Sequence, residues 1–419
     1  MKSRVLFLDH VGVIGGAELA ILDVARAYRD TSTVVLFADG PFRGRLASEG
    51  IRVEVVEGSR QLQAVKRETR LPSLGALTGM LSLVRRLVPI ARQYDCLHAN
   101  SQKAFVIACL VGMIARRPVI WELNDLLTTD HFSRVNIKVD VALANTCAVR
   151  VIANSRASAA AFVEQGGRPD LLRVVHNGIS AAPFDAITGD EITAARRELG
   201  LGDAALIGIF SRLGEWKGQH VALEALAGVP AAHLLLVGDA LFGEEAYAAS
   251  LRAQAARLGL GDRVHFLGFR SDVPRLMRTV DIVAHTSSAP EPFGRVVVEG
   301  MLARRPVIAT GAGGVPEIVS AGTGVLVPPG DATALAAAFT RLLSDPEFAA
   351  GVARKGRDHA TTHFTVEAMV DRKTSHIEAA IRGLPESSAA AVSRGFADPL
   401  EPAARPGAAT RTAALSARR

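Results

Sequence analysis

Cysteine, aromatic residues and long apolar runs are all scarce in this 419-residue chain. Its three cysteines, Cys96, Cys109 and Cys147, form no CxxC pair and cannot all be joined to one another. That excludes a disulfide-stapled scaffold and fits a reducing compartment. Aromatics make up only 5% of the chain, against abundant Ala, Val and Leu, a balance that favours helices packed on sheets. The longest apolar run, Ala104 to Ala115, is stopped by Arg116 and Arg117, short of the roughly 20 residues a membrane-spanning helix needs. The start, "MKSRVLFLDHVGVIGG", is broken by Asp9 and His10 before it enters a glycine turn, so no secretory signal is expected and the expected location is cytoplasmic.

What is present is a chain long enough for two full cores, since a single core stops growing at roughly 250 to 300 residues. The opening runs strand, turn, helix, strand: "RVLFLD", the glycines 12, 15 and 16, "AELAILDVARAY", then "TVVLFA". Further apolar strands follow at "RVEVVE", "CLHA", "RPVIWEL" and "RVIANS", and "VVHNGI" closes this half. A second series begins at "ALIGIFSRL" and continues through "AHLLLVGD", "RVHFLGF", "DIVAHTS", "RPVIAT" and "GVLVPP". The expected fold class is therefore α/β: two doubly wound parallel sheets in tandem, facing a central cleft where ligands bind beyond the strand carboxyl ends. The expected division is a first domain at 1–180, a connector at 181–203, a second domain at 204–383 with its last helix returning to the first, and a disordered tail at 384–419.

The net charge of +6 is concentrated: residues 60–92 hold seven Lys or Arg against the single acid Glu68. The patch reads either as a solvated face or as a dock for an anionic surface, with Arg85 and Arg86 set among Leu81, Leu83, Val84, Leu87 and Val88 as in an amphipathic surface helix. Nucleic acid is not an expected partner, because the patch has neither interleaved aromatics nor zinc-finger spacing.

The chemistry concentrates in "APEPFGRVVVEGMLARRPVIATGAGGVPEIV", residues 289 to 319. Pro290 and Pro292 mark a loop and a helix starts near Phe293 or Gly294, so Glu291 precedes the helix and Glu299 lies inside it. The first-turn amides around Phe293 and Gly294 are free donors at the positive end of a helix dipole, which suits a phosphate. Carboxylates beside a phosphate make sense if each has hydroxyls to hold, and a sugar nucleotide supplies both parts. Taken alone, the two glutamates read more readily as a loop charge and a solvated helix residue; the residues that follow reverse that balance. In "IFSRLGEWKGQH" a strand end carries Arg212 and Lys217, two cations suited to a diphosphate. Neither GVIGGA (12 to 17) nor GAGGVP (311 to 316) completes the GxGxxG fingerprint, which argues against a nicotinamide-dependent oxidoreductase.

In order, "SRLGEWKG", "LLLVGD", "VHFLGF", "EPFGRVVVEGMLARRPVIAT", "GGVPEIV" and "GVLVPPGD" resemble the retaining glycosyltransferases of family 4, which have the GT-B architecture. In the first half "GGAE", "HANSQKA", "VIANS" and "VVHNGI" add to the likeness. The resemblance implies that Arg212 and Lys217 grip the donor diphosphate and that Glu299 holds the nucleotide ribose. Glu291 would face the transferred sugar, and the amides of Phe293 and Gly294 with the Gly15 and Gly16 loop would contact phosphate and sugar. The resemblance places His98 on the cleft floor, although a lone His at a strand end is more often structural than catalytic, and this chain has His98, Ala99, Asn100 where many relatives have His-x-His. Asn100, and Glu122, Asn124 or Asp125 of "WELND", are expected to meet the acceptor; for Asp125 a capping role is an equal alternative.

The implied reaction moves a hexose from a nucleoside diphosphate, uridine or guanosine, to an acceptor hydroxyl with retention at the anomeric carbon. Neither a cofactor nor a metal is expected, since no DxD-like pair stands at a suitable strand end. The implied acceptor is a lipid-linked or polymeric glycan of surface polysaccharide assembly, met at the inner face of the plasma membrane. The rival readings are a sugar-nucleotide-binding protein without catalysis and an epimerase or phosphorylase of the same fold.

Overall fold

The computed structural model describes residues 2–59, 73–130, 132–241 and 243–383. The basic stretch 60–72 and the expected tail at 384–419 lie outside the described residues. The first half runs β1 (Val5–Asp9), α1 (Gly16–Ala27), β2 (Thr33–Leu36), α2 (Pro41–Ser48), β3 (Val53–Val55), α3 (Leu74–Ala91), β4 (Cys96–Ala99), α4 (Gln102–Ala115), β5 (Val119–Leu123), α5 (Arg134–Cys147), β6 (Ala148–Ala153), α6 (Arg156–Glu164) and β7 (Leu172–Val174). Two helices, α7 (Ala182–Asp185) and α8 (Gly189–Glu198), lead into β8 (Ala205–Phe210), α9 (Gln219–Ala227), β9 (Ala232–Val237), α10 (Glu245–Arg257), β10 (Val264–Gly268), α11 (Val273–Thr279), β11 (Ile282–His285), α12 (Arg295–Leu302), β12 (Val307–Thr310), α13 (Val315–Ile318) and β13 (Val325–Val327). Helices α14 (Ala332–Ser344), α15 (Pro346–His363) and α16 (Val366–Arg382) complete the described chain.

These strands form two parallel sheets, ordered β3-β2-β1-β4-β5-β6-β7 and β10-β9-β8-β11-β12-β13, as the alternating pattern predicts. In each sheet the order reverses once, between β1 and β4 and between β8 and β11, and that reversal opens a crevice at the carboxyl ends. Both faces of each sheet are covered. In the first domain Leu97, Ala99, Trp121, Leu123 and Val151 pack under α3, α4 and α5, and Trp121 stacks on Phe105 at 4.3 Å. Phe7, Cys96, Ile120 and Ile152 face the other way, toward α1 and α16. Burying one such large apolar side chain contributes roughly 1.5 to 3 kcal/mol.

Residues 181–203, expected as a connector, form α7 and α8 and are tied to the second domain. Arg196 of α8 makes two hydrogen bonds to Asp281, at 2.8 and 2.9 Å, and Glu198 takes two from Arg275. The chain instead crosses between domains at 176–179, where the amide of Ile179 donates to the Phe364 carbonyl at 2.9 Å. Phe364 lies on the return crossing, after which α16 packs on α1 of the first domain. The longest apolar helix also differs from expectation. It is α3, 18 residues with mean hydropathy 1.4, long and apolar enough to span a bilayer by length and composition, with Leu83, Val84 and Leu87 in the core.

Candidate functional site

Both Lys217 and Glu291 sit at the crevice of the second sheet, one after β8 and the other after β11. The turn that carries Lys217 closes through Gly218, in the left-handed region at φ +67°, where an added Cβ would fall 2.0 Å from the Thr286 carbonyl oxygen. Only glycine tolerates both the sign of φ and the approach. Lys217 Nζ then donates to both oxygens of Glu291, at 2.9 and 3.0 Å, and lies 3.8 Å above the Trp216 ring. The Arg212 guanidinium lies 5.6 Å from the same ring, so both expected cations converge on one side of the crevice.

Glu291 is held from every side. Ser287 Oγ donates to it at 3.0 Å, and His285 Nε2 lies 3.4 Å from the same oxygen, with Thr310 Oγ1 3.3 Å from the other ring nitrogen. Burial alone would raise its carboxyl, but Lys217 and His285 outweigh burial and hold it well below the usual carboxylate range. Its main chain is fixed as well, because the Gly314 amide donates to the Glu291 carbonyl at 2.8 Å. The glycine cluster at 311–314 therefore supports Glu291 from beneath.

Helix α12 starts at Arg295 behind Gly294 with no side-chain cap, which sets the positive end of its dipole shortly after Glu291 in the chain. Glu299, one turn in, pairs with Arg295 at 3.4 Å. Arg295 reaches across to the first domain, where a Cβ added at Gly16 would meet its Cδ at 2.7 Å. The Gly15 and Gly16 loop is thus brought against the start of α12. Phe293 is buried by its side chain, its ring 6.1 Å from His176.

In the first domain Asn100 is buried at the β4 end, donating to Asp9 at 2.6 Å and accepting from Asn124 at 3.2 Å. Asp125 is half-buried, and its charge joins burial in pushing the Asp140 carboxyl up to about 8. Glu18, half-buried on α1, is also pushed up to about 8, by burial first and then by Asp9 and Asp125.

His98 and Glu122 differ from expectation. His98 is 1% exposed and lies 3.4 Å from Glu122, which is paired in turn with Lys373 of α16 at 2.7 Å. The reason is the period of two along a strand. Leu97 and Ala99 face α4, so His98 points to the opposite face, which the returning helix covers with Met369, Lys373 and Ile377. It is a buried partner of an ion pair rather than a residue of the cleft floor, and Glu122, committed to Lys373, is not placed to meet an acceptor. Burial would raise the Glu122 carboxyl, but Lys373 and His98 hold it lower than usual.

Sequence reasoning missed His285, Ser287 and Thr310 around Glu291, as well as His176 and Glu317. A signal existed for the first pair. In "DIVAHTS" a histidine and a serine two apart at a strand end share a face, six and four residues before Glu291.

The family described as Glycosyl transferases group 1 matches residues 191–359, and the Glycosyl transferase 4-like domain matches 15–178. The lipopolysaccharide core biosynthesis glycosyltransferase LpsE of Rhizobium meliloti is 32% identical over 44% of this chain and 53% of its own length. The chain thus matches about half the length of that relative. The D-inositol 3-phosphate glycosyltransferase of Corynebacterium glutamicum is 27% identical over 86% of this chain and 91% of its own. Among solved structures, Anabaena Alr3699/HepE in complex with UDP and glucose is 43% identical, with a TM-score of 0.82 over 90% of this chain and 99% of the other. The same protein in complex with UDP-glucose matches at 42% identity. The two facing sheets are the GT-B fold, and the chain belongs to the group 1 glycosyltransferases.

Proposed function

We propose that this glycosyltransferase moves a hexose from a uridine diphosphate sugar to an acceptor hydroxyl, with retention and without a metal. The observation that carries the reading is the Lys217–Glu291 pair at the crevice, with Arg212 on the same side as Lys217. The likeness at 43% identity to a protein in complex with UDP and glucose supports uridine over guanosine.

A lysine ammonium has three donors, and two of them go to Glu291. The positive charge of Lys217 and Arg212 on one side of the crevice, with the positive end of the α12 dipole, would stabilise the charge that develops as the diphosphate departs. Glu291, ionised and held by Lys217, Ser287 and His285, is a weak nucleophile. That favours attack from the face the diphosphate leaves, with a phosphate oxygen taking the acceptor proton, over a covalent intermediate on Glu291. Glu299 is the proposed ribose ligand and the Gly15 and Gly16 loop the second wall of the phosphate site.

The test is thermal unfolding with UDP, UDP-glucose, GDP and NAD, with and without a chelator. A stabilising shift with UDP that survives the chelator and disappears in Lys217→Ala is expected; a shift with NAD alone overturns the reading.

For the acceptor we propose a lipid-linked or polymeric glycan at an anionic membrane surface. What supports this is α3, which exposes Leu74 at 83% and Leu81 at 57% on the helix that carries Arg85 and Arg86, a layout that liposome flotation tests directly.

A further inference from the structure

One carboxylate of the second domain completes the first turn of a helix in the first. Glu317, on α13, accepts from the amides of Arg156 and Ala157 at 2.8 Å each, while His176 Nε2 lies 2.8 Å from one of the same oxygens. The next amide of α6, that of Ser158, is taken by its own N-cap Ser155 at 2.9 Å. Of the three leading donors of this helix, two are therefore bonded to the other domain. Charge-assisted bonds of this kind are about twice as strong as neutral ones, and a carboxylate at a helix N-terminus adds the favourable dipole interaction.

The same segment supports the donor site. Three residues before Glu317, Gly314 donates its amide to the Glu291 carbonyl and lies so near Ser155 that an added Cβ would sit 3.0 Å from the Ser155 Cβ. His176, at the crossing between domains, has its ring 6.1 Å from Phe293 and 5.9 Å from Phe364. Any rotation of one domain on the other must break the contacts of Glu317 or drag the loop beneath Glu291 with it.

We propose that Glu317 is the positioning residue that holds the first domain in register with the donor loop, so that donor binding and domain closure act as one event. This rests on the reading of the Glu291 loop as the donor site. Glu317 touches neither donor nor acceptor in this proposal; it acts through the loop and through α6.

The test uses the full chain with UDP and UDP-glucose as probes. Turnover of UDP-glucose with water as acceptor is read as UDP released, and small-angle scattering with and without UDP reads domain closure. In Glu317→Ala UDP should no longer compact the protein, the KM for UDP-glucose should rise because binding no longer draws on closure, and kcat should fall at least tenfold. A second variant acts on the partner. Arg156 occupies the first helical position, where proline is tolerated, and Ser155 before it is already extended, so Arg156→Pro deletes one bonded amide and leaves the helix. Arg156→Ala, which keeps the amide, is its control. Arg156→Pro should reproduce the kcat loss in part, and Arg156→Ala should not. Unchanged kcat and unchanged compaction in both Glu317→Ala and Arg156→Pro overturn the proposal, as does equal loss in Arg156→Ala and Arg156→Pro. If UDP does not bind the unaltered protein, it is the donor-site reading that fails, a result distinct from either.

Discussion

Replacing Lys217 by methionine isolates the electrostatic coupling at the centre of the site. Methionine keeps an unbranched stem and removes the ammonium, so Glu291 loses its contacts at 2.9 and 3.0 Å and keeps only Ser287 and His285. The two side chains are 15% and 13% exposed, which leaves little solvent to screen the charge that remains. Removing one partner of a buried pair costs about 3 to 5 kcal/mol. That is a large part of the roughly 5 to 15 kcal/mol that holds a typical domain folded. The pH dependence gives the sign. In the unaltered protein the Glu291 carboxyl is depressed, so its stabilising contribution is complete above the unfolded value, near 4.3, and is lost only as pH falls through the depressed one. In Lys217→Met, burial, which raises the carboxyl, loses its main opponent. The charged form then destabilises, and the penalty shrinks as pH is lowered toward protonation. Urea denaturation of the unaltered protein, Lys217→Met, Glu291→Gln and the double variant, at about pH 7.5 and about pH 5, measures the coupling. The single lysine variant should lose about 3 kcal/mol at the higher pH and clearly less at the lower. The double variant should recover most of the stability and none of the activity, since no net charge is left to bury. A single variant within about 0.5 kcal/mol of the parent at both pH values, or a double variant no more stable than the single, refutes the reasoning.

Two further outcomes test other parts of the molecule. Lys373→Met should loosen α16 and expose it to limited proteolysis ahead of global unfolding, because it leaves Glu122 charged and buried; adding Glu122→Gln should restore resistance, and a single variant as resistant as the parent argues against the ion pair as the tie between α16 and the first sheet. The protein should float with liposomes rich in anionic lipid at low salt and be released at high salt, with Leu74→Ser/Leu81→Ser reducing the bound fraction; no flotation at low salt sinks the membrane-surface proposal.

Much of the fold was legible because both sheets are buried on both faces. Strands such as "AHLLLV" and "RPVIAT" are continuous apolar runs, and glycine turns and helical periods separate them without ambiguity. The meeting of Lys217 and Glu291 at one crevice was legible for a related reason. Lys217, Glu291 and Gly294 lie in turns that follow strands, where sequence order alone places them at the carboxyl edge. The segment 181–203 was not, because its Ala and Asp content looks like a linker until Arg196 finds Asp281 and Glu198 finds Arg275, contacts that span 77 or more positions. Glu317 is harder still, since nothing in "GGVPEIV" says that a helix of the other domain starts beside it.

His98 shows where position along a strand misleads and alternation decides. It stands one residue from the end of β4, which the chain order marks as the cleft edge, yet the parity shared with Cys96 turns it toward the covered face. The signs of that outcome were already in the sequence. Glu122 interrupts the apolar strand "VIWEL", and Lys373 interrupts the stripe Met369, Lys373, Ile377, spaced by four as one helix face requires. Two opposite charges, each set in an apolar face, are costly alone and tolerable together, so each predicts the other. Because α16 comes from the far end of the chain, the pair ties the last described helix to the first sheet. His98 lies against that tie, buried between it and Phe7, whose ring is 5.2 Å away.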